Sequence, residues 1–430
     1  MYLFVYWLIT TLHVIAIPVA GVGALLAYRR RRDGRVLLKL LFPALAGVLV
    51  AITIHALYVL ITSARILPFE LLLTAALVAS SLLILRGMDH VVLWVLVKLL
   101  RLGDDASTDT RWSRLRRALA SVVRVTLLFA VIIPSVMASA LVYRPKLDAR
   151  APSVGSDLFQ TTRVEFSATD GTRLTGWWSV GASQPSGASQ PSGASVADWS
   201  VAPARQTVLL CSGWPVERAR FDVLRRTLLV GGYNVLTVDL RATGASAGRL
   251  STLGDTERFD VLGAVRWLRE HRPDQSIRIV GVGASIGGAA LLGATRDAGD
   301  GQLIDAVVVY GTGNQLVPVV QDWVSDRFMY PTDVVISEMG LRVASALVGR
   351  DLRRVAPEED AAHLWPRPLL VVHGMRDDVI KHRFAEKLLD AAMQPKYYFW
   401  LPGASAGDTL RDDVTANVVR AFFDVARPVL

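Results

Sequence analysis

The chain has 430 residues, 52% of them hydrophobic, and a mean hydropathy of +0.37, which is high for a soluble protein and asks for membrane segments. Its formal charge of +9 is unevenly placed: residues 1–150 hold 18 Lys and Arg against 7 Asp and Glu, whereas residues 151–430 hold 29 against 31. The basicity therefore belongs to the apolar first third, where it reads as membrane topology and not as a nucleic-acid footprint. A single cysteine, Cys211, excludes an internal disulfide and any cysteine-based metal cluster.

Residues 2–27 carry no formal charge and are long enough to cross about 30 Å of hydrocarbon as a helix. No basic run precedes them, and the stretch is too long for a cleaved signal peptide. Further spans are expected at 40–64, 66–85 and 125–143, the last kinked at Pro134. His13, inside the first span, reads as a lone polar contact to another helix. Between the third and fourth, residues 88–101 have an apolar core too short to span and suit a helix lying in the interface.

The loop at 28–39 has six basic residues against one acid, and residues 86–118 add Arg86, Lys98, Arg101, Arg111, Arg114, Arg116 and Arg117. The positive-inside rule assigns both loops to the cytoplasm. The chain is then an integral protein of the plasma membrane, with the lipid bilayer as its partner and everything beyond Tyr143 outside the cytoplasm. If residues 88–101 crossed instead, the last domain would flip to the other side.

Residues 1–150 thus form one expected domain, a bundle of about four membrane helices, and residues 151–430 a second. In the second, short β-rich runs alternate with helical stretches, as a mostly parallel sheet with crossover helices on both faces requires. An opening hairpin turns at Asp170–Gly171. Residues 181–195 are a tandem of GASQPS with a partial third copy, a composition that cannot bury enough surface to fold, so a disordered surface insertion is expected there. Strands are expected at 207–212, 234–240, 277–283, 305–311, 368–374 and 396–403, with a helix at 256–271. The stretch 314–367 is long enough for a small helical cap.

The run ending at Val282 delivers Gly283-Ala284-Ser285-Ile286-Gly287, a serine with glycines two residues to either side, and a helix of small residues follows. That is how a nucleophilic serine is presented on a sharp strand-to-helix turn. Three other stretches accompany it: VDLRATGASAG (Val238–Gly248), GDTERFDVLGAVRWL (Gly254–Leu268) and HGMRDDVI (His373–Ile380). Taken in this order, the four resemble the α/β-hydrolases, in particular the serine hydrolase domains related to dienelactone hydrolases and to acylaminoacyl or prolyl-type peptidases. The resemblance covers residues 160–428 and implies the α/β-hydrolase fold, Ser285 as nucleophile and Asp377 as the acid of a triad. It also implies an oxyanion hole from the backbone N–H groups of Ile286 and Trp214, although Ser212-Gly213 stands where the family has His-Gly. No cofactor or metal is implied.

The base does not follow. The family's histidine sits after the last strand in a segment resembling P-G-x-x-H-x-D, whereas this chain reads LPGASAGDT, with Ala406 at the histidine's position. The only histidine beyond Asp377 is His382, five residues on, where a helix is expected to begin. His363 falls at the far edge of the sheet, and Ser405 and Asp408 cannot shuttle a proton near neutral pH as imidazole does. His373 reads first as a brace of the acid loop and only weakly as a substitute base. Two readings stand: a membrane-anchored serine hydrolase acting on a small ester, amide or peptide, or a hydrolase-fold protein that binds a ligand or partner without turnover. A transporter lacks support, because the spans show no paired acids and no inverted repeat.

Overall fold

A computed structural model describes residues 130, 133–142, 159, 161–182, 205–213, 221–405 and 408–425. The expected spans at 2–27, 40–64 and 66–85 and the interfacial helix at 88–101 lie outside these residues. Within the fourth expected span, helix α1 covers Ile133–Val142. No helix among the described residues is long and apolar enough to cross a membrane. The chain divides into two compact units, Met1–Ala140 and Leu141–Leu430.

The second unit is built on one eight-stranded sheet. Its strands are β1 (Thr161–Ser167), β2 (Arg173–Ser179), β3 (Gln206–Cys211), β4 (Asn234–Asp239), β5 (Arg278–Ala284), β6 (Ile304–Tyr310), β7 (Leu369–Gly374) and β8 (Lys396–Leu401). They lie in the order β1-β2-β4-β3-β5-β6-β7-β8, with β1 and β2 antiparallel and β3 to β8 parallel. The central strands are buried along their length but for Arg278 at the start of β5, which is why they read as near-continuous apolar runs and not as alternating ones.

Helices cover both faces. On one, Leu209, Val238, Ile279, Val307 and Val371 pack beneath α3 (Glu257–His271), α4 (Ile286–Ala294) and α8 (His382–Ala391). On the other, Val208, Val235, Val282, Val308 and Val372 pack beneath α2 (Asp222–Val230) and α9 (Asp413–Val425). Neighbouring strand residues thus feed opposite cores, as the two-residue period of a strand dictates. Between β6 and β7 the chain inserts α5 (Leu316–Ser325), α6 (Thr332–Val348) and the short α7 (Pro357–Ala362), the helical segment expected from the length of 314–367.

The insertion expected at 181–195 is corrected at its start. The Gly181 N–H donates to Asn234 Oδ1 at 3.3 Å and the Ala182 N–H to the Leu229 carbonyl at 2.9 Å, so both residues are tied to the core. A Cβ at Gly181 would lie 2.4 Å from the Gly232 backbone, which composition alone does not reveal. Residues 183–195 lie outside the described part.

Candidate active site

All six parallel strands end on the same side of the sheet, and the site is assembled there. Ser285 follows β5 directly and has φ 51° and ψ −115°, a left-handed backbone that a residue with a Cβ rarely adopts. Its N–H is held by the Tyr310 carbonyl of β6 at 2.8 Å, and its own carbonyl accepts the N–H groups of Gly288 and Ala289, both at 3.1 Å, so it caps α4. Thr312 Oγ1 lies 3.3 Å from the same carbonyl.

The turn is possible because three glycines let backbones touch. A Cβ on Gly283 would meet Gly287 C and O at 2.5 Å, and one on Gly287 would meet the Cys211 carbonyl oxygen at 2.1 Å. Gly213, in the loop after β3, is the third: its Cβ would lie 2.0 Å from the Ala284 oxygen and 2.9 Å from both Ile286 N and Ser285 Cβ. The β3 loop is therefore pressed against the elbow, beside the Ile286 N–H. Ile286 is the first residue of α4, so its N–H has no partner within the helix and is available at its positive end. Trp214, the second expected donor, lies outside the described residues.

Asp377 stands two strands further on, in the loop after β7. Its Oδ1 accepts the N–H groups of Val379 and Ile380, each at 2.9 Å, and its Oδ2 faces Gly311, where a Cβ would sit 3.5 Å away. Gly311, with φ 49°, follows β6, which lies between the strands carrying Ser285 and Asp377. Burial pushes the Asp377 carboxyl up, and the two backbone N–H groups oppose that shift.

The histidines separate clearly. His373 is fully buried on β7, with Nε2 2.8 Å from the Ile380 carbonyl oxygen. A carbonyl only accepts, so Nε2 carries the proton and Nδ1 is the basic nitrogen. Nδ1 is buried without a hydrogen-bond partner among the described residues, and burial pushes the imidazole down to about 4. Nε2 is 3.9 Å from Asp377 Oδ2, beyond hydrogen-bond reach. His373 thus ties the end of β7 to the loop whose N–H groups hold Asp377. His382 opens α8, with Nδ1 3.4 Å from Glu386 and its ring edge-on to Trp400. His363 lies at the amino end of β7, its Nδ1 bonded to the Glu359 carbonyl, on the opposite side of the sheet from Ser285.

Ala406, where the base is expected, lies outside the described residues. The chain leading to it is in place. Ala404 accepts the Arg376 N–H at 3.0 Å, and a Cβ on Gly374 would lie 2.4 Å from the Ala404 oxygen. The segment after β8 therefore runs beside the acid loop. Ser405 and Asp408 bond to each other, Oγ to Oδ2 at 2.7 Å.

Several supports of the site have no motif of their own. Glu257 is buried, and its carboxylate accepts from Ser251 Oγ, Thr252 N, Thr252 Oγ1 and Gly254 N, all within 3.0 Å. It thereby fixes the loop that presses Gly254 against Ala289 of α4. Arg241 bridges Asp260 of α3 at 2.6 Å and Asp170 of the opening hairpin at 2.8 Å. The cap is fastened to the acid loop by Lys381, whose Nζ lies 3.0 Å from Asp322 and 2.8 Å from Asp326. Two cavities of about 570 and 380 Å³ open elsewhere on the unit and do not include Ser285. Among the described residues no group of His, Cys, Asp and Glu could hold a metal ion.

A mostly parallel eight-stranded sheet covered on both faces, with a serine on a strained turn between strand and helix and an acid after β7, is the α/β-hydrolase fold. The family described as X-Pro dipeptidyl-peptidase (S15 family) matches residues 139–308. The chain is 28% identical over 258 residues to the uncharacterized protein YfhR of Escherichia coli, covering 60% of this chain and 78% of that one. It is 26% identical over 288 residues to the uncharacterized protein Rv2307c of Mycobacterium tuberculosis, covering 66% and 85%. Among solved structures it is similar to the Pyrococcus furiosus esterase Pf2001, at 20% identity and a TM-score of 0.49, over 66% of this chain and 98% of that one.

Proposed function

We propose that this chain is a membrane-anchored protein built as a serine ester or amide hydrolase, with Ser285 as nucleophile, Asp377 as acid, and the base replaced by Ala406. The observation that carries the reading is the backbone of Ser285, a non-glycine residue at φ 51° aimed from the end of β5 beside an available helix-terminal N–H. Ile286 N–H and Trp214 N–H are the proposed oxyanion donors. The substrate is a small ester, amide or peptide, and the apolar, basic first third holds the domain at the outer face of the plasma membrane.

In acyl transfer the serine oxygen bonds to the carbonyl carbon, its proton passes to a base, and the same proton later leaves with the alcohol or amine. His373 is a poor acceptor, because burial pushes its imidazole down to about 4 and its basic nitrogen, Nδ1, is itself buried, while Nε2 is committed to the Ile380 carbonyl. No histidine follows His382 in the sequence. Loss of the histidine costs on the order of a million-fold in kcat and leaves about 10³–10⁴-fold from oxyanion stabilisation and binding. Turnover is then confined to activated esters. The missing base equally favours a second reading, a protein that binds a ligand or partner in this site without turnover.

Labelling by a fluorophosphonate probe tests the proposal. The wild type should label slowly and Ser285→Ala not at all, while Ala406→His should raise the labelling rate by orders of magnitude, blunted by whatever packing penalty the larger side chain brings. Rapid wild-type labelling that depends on Ser285 would mean that a base is present. If it is lost in a folded His373→Ala variant, His373 is that base.

A further inference from the structure

Helix α6 of the cap is apolar on both sides. Its inner face, with Ile336, Gly340, Leu341 and Ala344, is buried. The outer face of a surface helix should then be polar, yet this one exposes Val334, Val335, Met339 and Leu347, the first by 51%. The helix has three charged residues, and they are paired: Asp333 accepts from Ser325 Oγ at 2.8 Å, and Glu338 meets Arg342 at 2.8 Å. The turn leading into α6 extends the apolar surface, with Met329 exposed by 83% and Tyr330 by 82%. We propose that the outer face of α6 and the turn at 329–330 lie in the lipid bilayer, so that the edge of the sheet carrying Ser285 faces the membrane. The proposal rests on the membrane-anchored reading above and adds to it the surface that meets the lipid.

What covers this face follows from where the apolar first third joins the fold. Val142, the last residue of α1, already belongs to the second unit and is buried. Its carbonyl accepts the Ser251 N–H at 2.7 Å. Ser251 lies in the loop between β4 and α3, at the carboxyl ends of the parallel strands. That is the edge where Ser285 and Asp377 stand. On the anchored reading, the chain therefore arrives from the lipid at the site's own edge and not at the amino ends of the strands.

Helix α6 lies along the same edge. Before it, Asp322 and Asp326 at the end of α5 hold Lys381 beside the acid loop, at 3.0 and 2.8 Å. Beyond it, Arg350 is 3.8 Å from Asp255, in the loop that receives Val142. The 17 residues of α6, about 25 Å of helix, run between these two fastenings. The flank of the apolar turn has the make-up of a headgroup layer: the Arg327 guanidinium lies 4.0 Å over the Trp323 ring. Amphipathic rings and long cations collect at that level, with apolar side chains below them.

The test uses the full-length chain in vesicles of phosphatidylcholine and phosphatidylglycerol, with an environment-sensitive dye on Tyr330→Cys, Met339→Cys or Met393→Cys. The native Cys211 is buried and does not compete for the dye. Met393 is exposed in the turn before β8, at the amino ends of the strands, and is the control. Lipids carrying a nitroxide on the acyl chain should remove most of the emission at 330 and 339 and little of it at 393. If the chain stays with the vesicles through an alkaline wash while 330 and 339 are not quenched, the orientation is wrong and the anchoring stands. Release by the wash sinks the anchored reading, and this proposal with it. Equal quenching at 330 and 393 overturns the orientation. A blue-shifted dye at 330 without quenching means that protein and not lipid covers α6, which overturns it too.

Discussion

Acid should remove a stabilising contribution of neutral His373. The imidazole is fully buried, and burial is the main reason its pKa falls from 6.5 to about 4, with the nearby His382 adding to the shift. In the unfolded chain the group takes up a proton near pH 6.5, whereas in the folded chain it stays neutral until about pH 4. Unfolding therefore binds a proton throughout that window. The contribution of neutral His373 is fully present above pH 6.5 and is lost as the pH falls towards 4. At about 1.4 kcal/mol per pH unit the loss approaches 3 kcal/mol, a large share of a typical stability of about 5–15 kcal/mol. The buried carboxyls of Asp260, pushed up to about 7, and of Asp305, Asp360 and Asp377, also pushed up, act with the opposite sign, since a raised carboxyl pKa favours the folded state as it protonates, so the His373 contribution is read from the difference between wild type and variant. Denaturant titrations of the full chain at pH 4.5, 5.5, 6.5 and 7.5, followed by tryptophan fluorescence, measure this. His373→Gln removes the titrating group and leaves an amide nitrogen near the Nε2 position, able to donate to the Ile380 carbonyl; its stability should depend on pH less than that of the wild type by about 2 kcal/mol across the same range. An unchanged slope in the variant would refute the assignment of the acid sensitivity to His373.

The remaining predictions concern the membrane reading and the insertion. A broad-specificity protease added to intact cells should cut within residues 183–195, and protection until the membrane is broken would reverse the proposed orientation. Deleting residues 183–195 should change Tm little, whereas Gly181→Ala, whose methyl would lie 2.4 Å from the Gly232 backbone, should cost about 1–3 kcal/mol in a denaturant titration. A neutral Gly181→Ala would remove that residue from the packed part of the fold.

Most strands were legible because burial on both faces leaves runs too apolar to be anything else in this alternation. Their ends moved by a residue or two. β5 was expected at 277–283 and is Arg278–Ala284, because the Ile277 N–H is taken by the Arg205 carbonyl and Ala284 still pairs with Tyr310. Ser285 and Asp377 could be singled out because their chemistry is written in neighbouring residues. The parts that hold them could not. Thr312 touches the Ser285 carbonyl only because β6 lies beside β5, and Arg241 joins residues 170 and 260, a link that exists only once the sheet order is set. Glu257 reads in sequence as an ordinary acid near a helix start, yet it is the buried acceptor for a whole loop. Which nitrogen of His373 carries the proton is likewise set by a carbonyl seven residues away.

The elbow itself is weak evidence of turnover, and the reason is mechanical. A non-glycine residue in so sparse a backbone region costs about 1–3 kcal/mol and persists only when its surroundings leave no alternative. Here they leave none. The Tyr310 carbonyl holds the Ser285 N–H, α4 must start at the next residue, and Gly213, Gly283 and Gly287 bring three backbones too close for any other path. Those contacts also seat α4 against β3, so relaxing the turn would disturb the core that the sheet needs. The strained serine is thus maintained by the packing of the fold whether or not its hydroxyl is used. An imidazole has no such second duty, because the segment after β8 already meets the acid loop through backbone contacts at Ala404. On the proposed function, turnover is then decided by whether a base reaches the Ser285 hydroxyl, and the strained backbone at 285 does not report it.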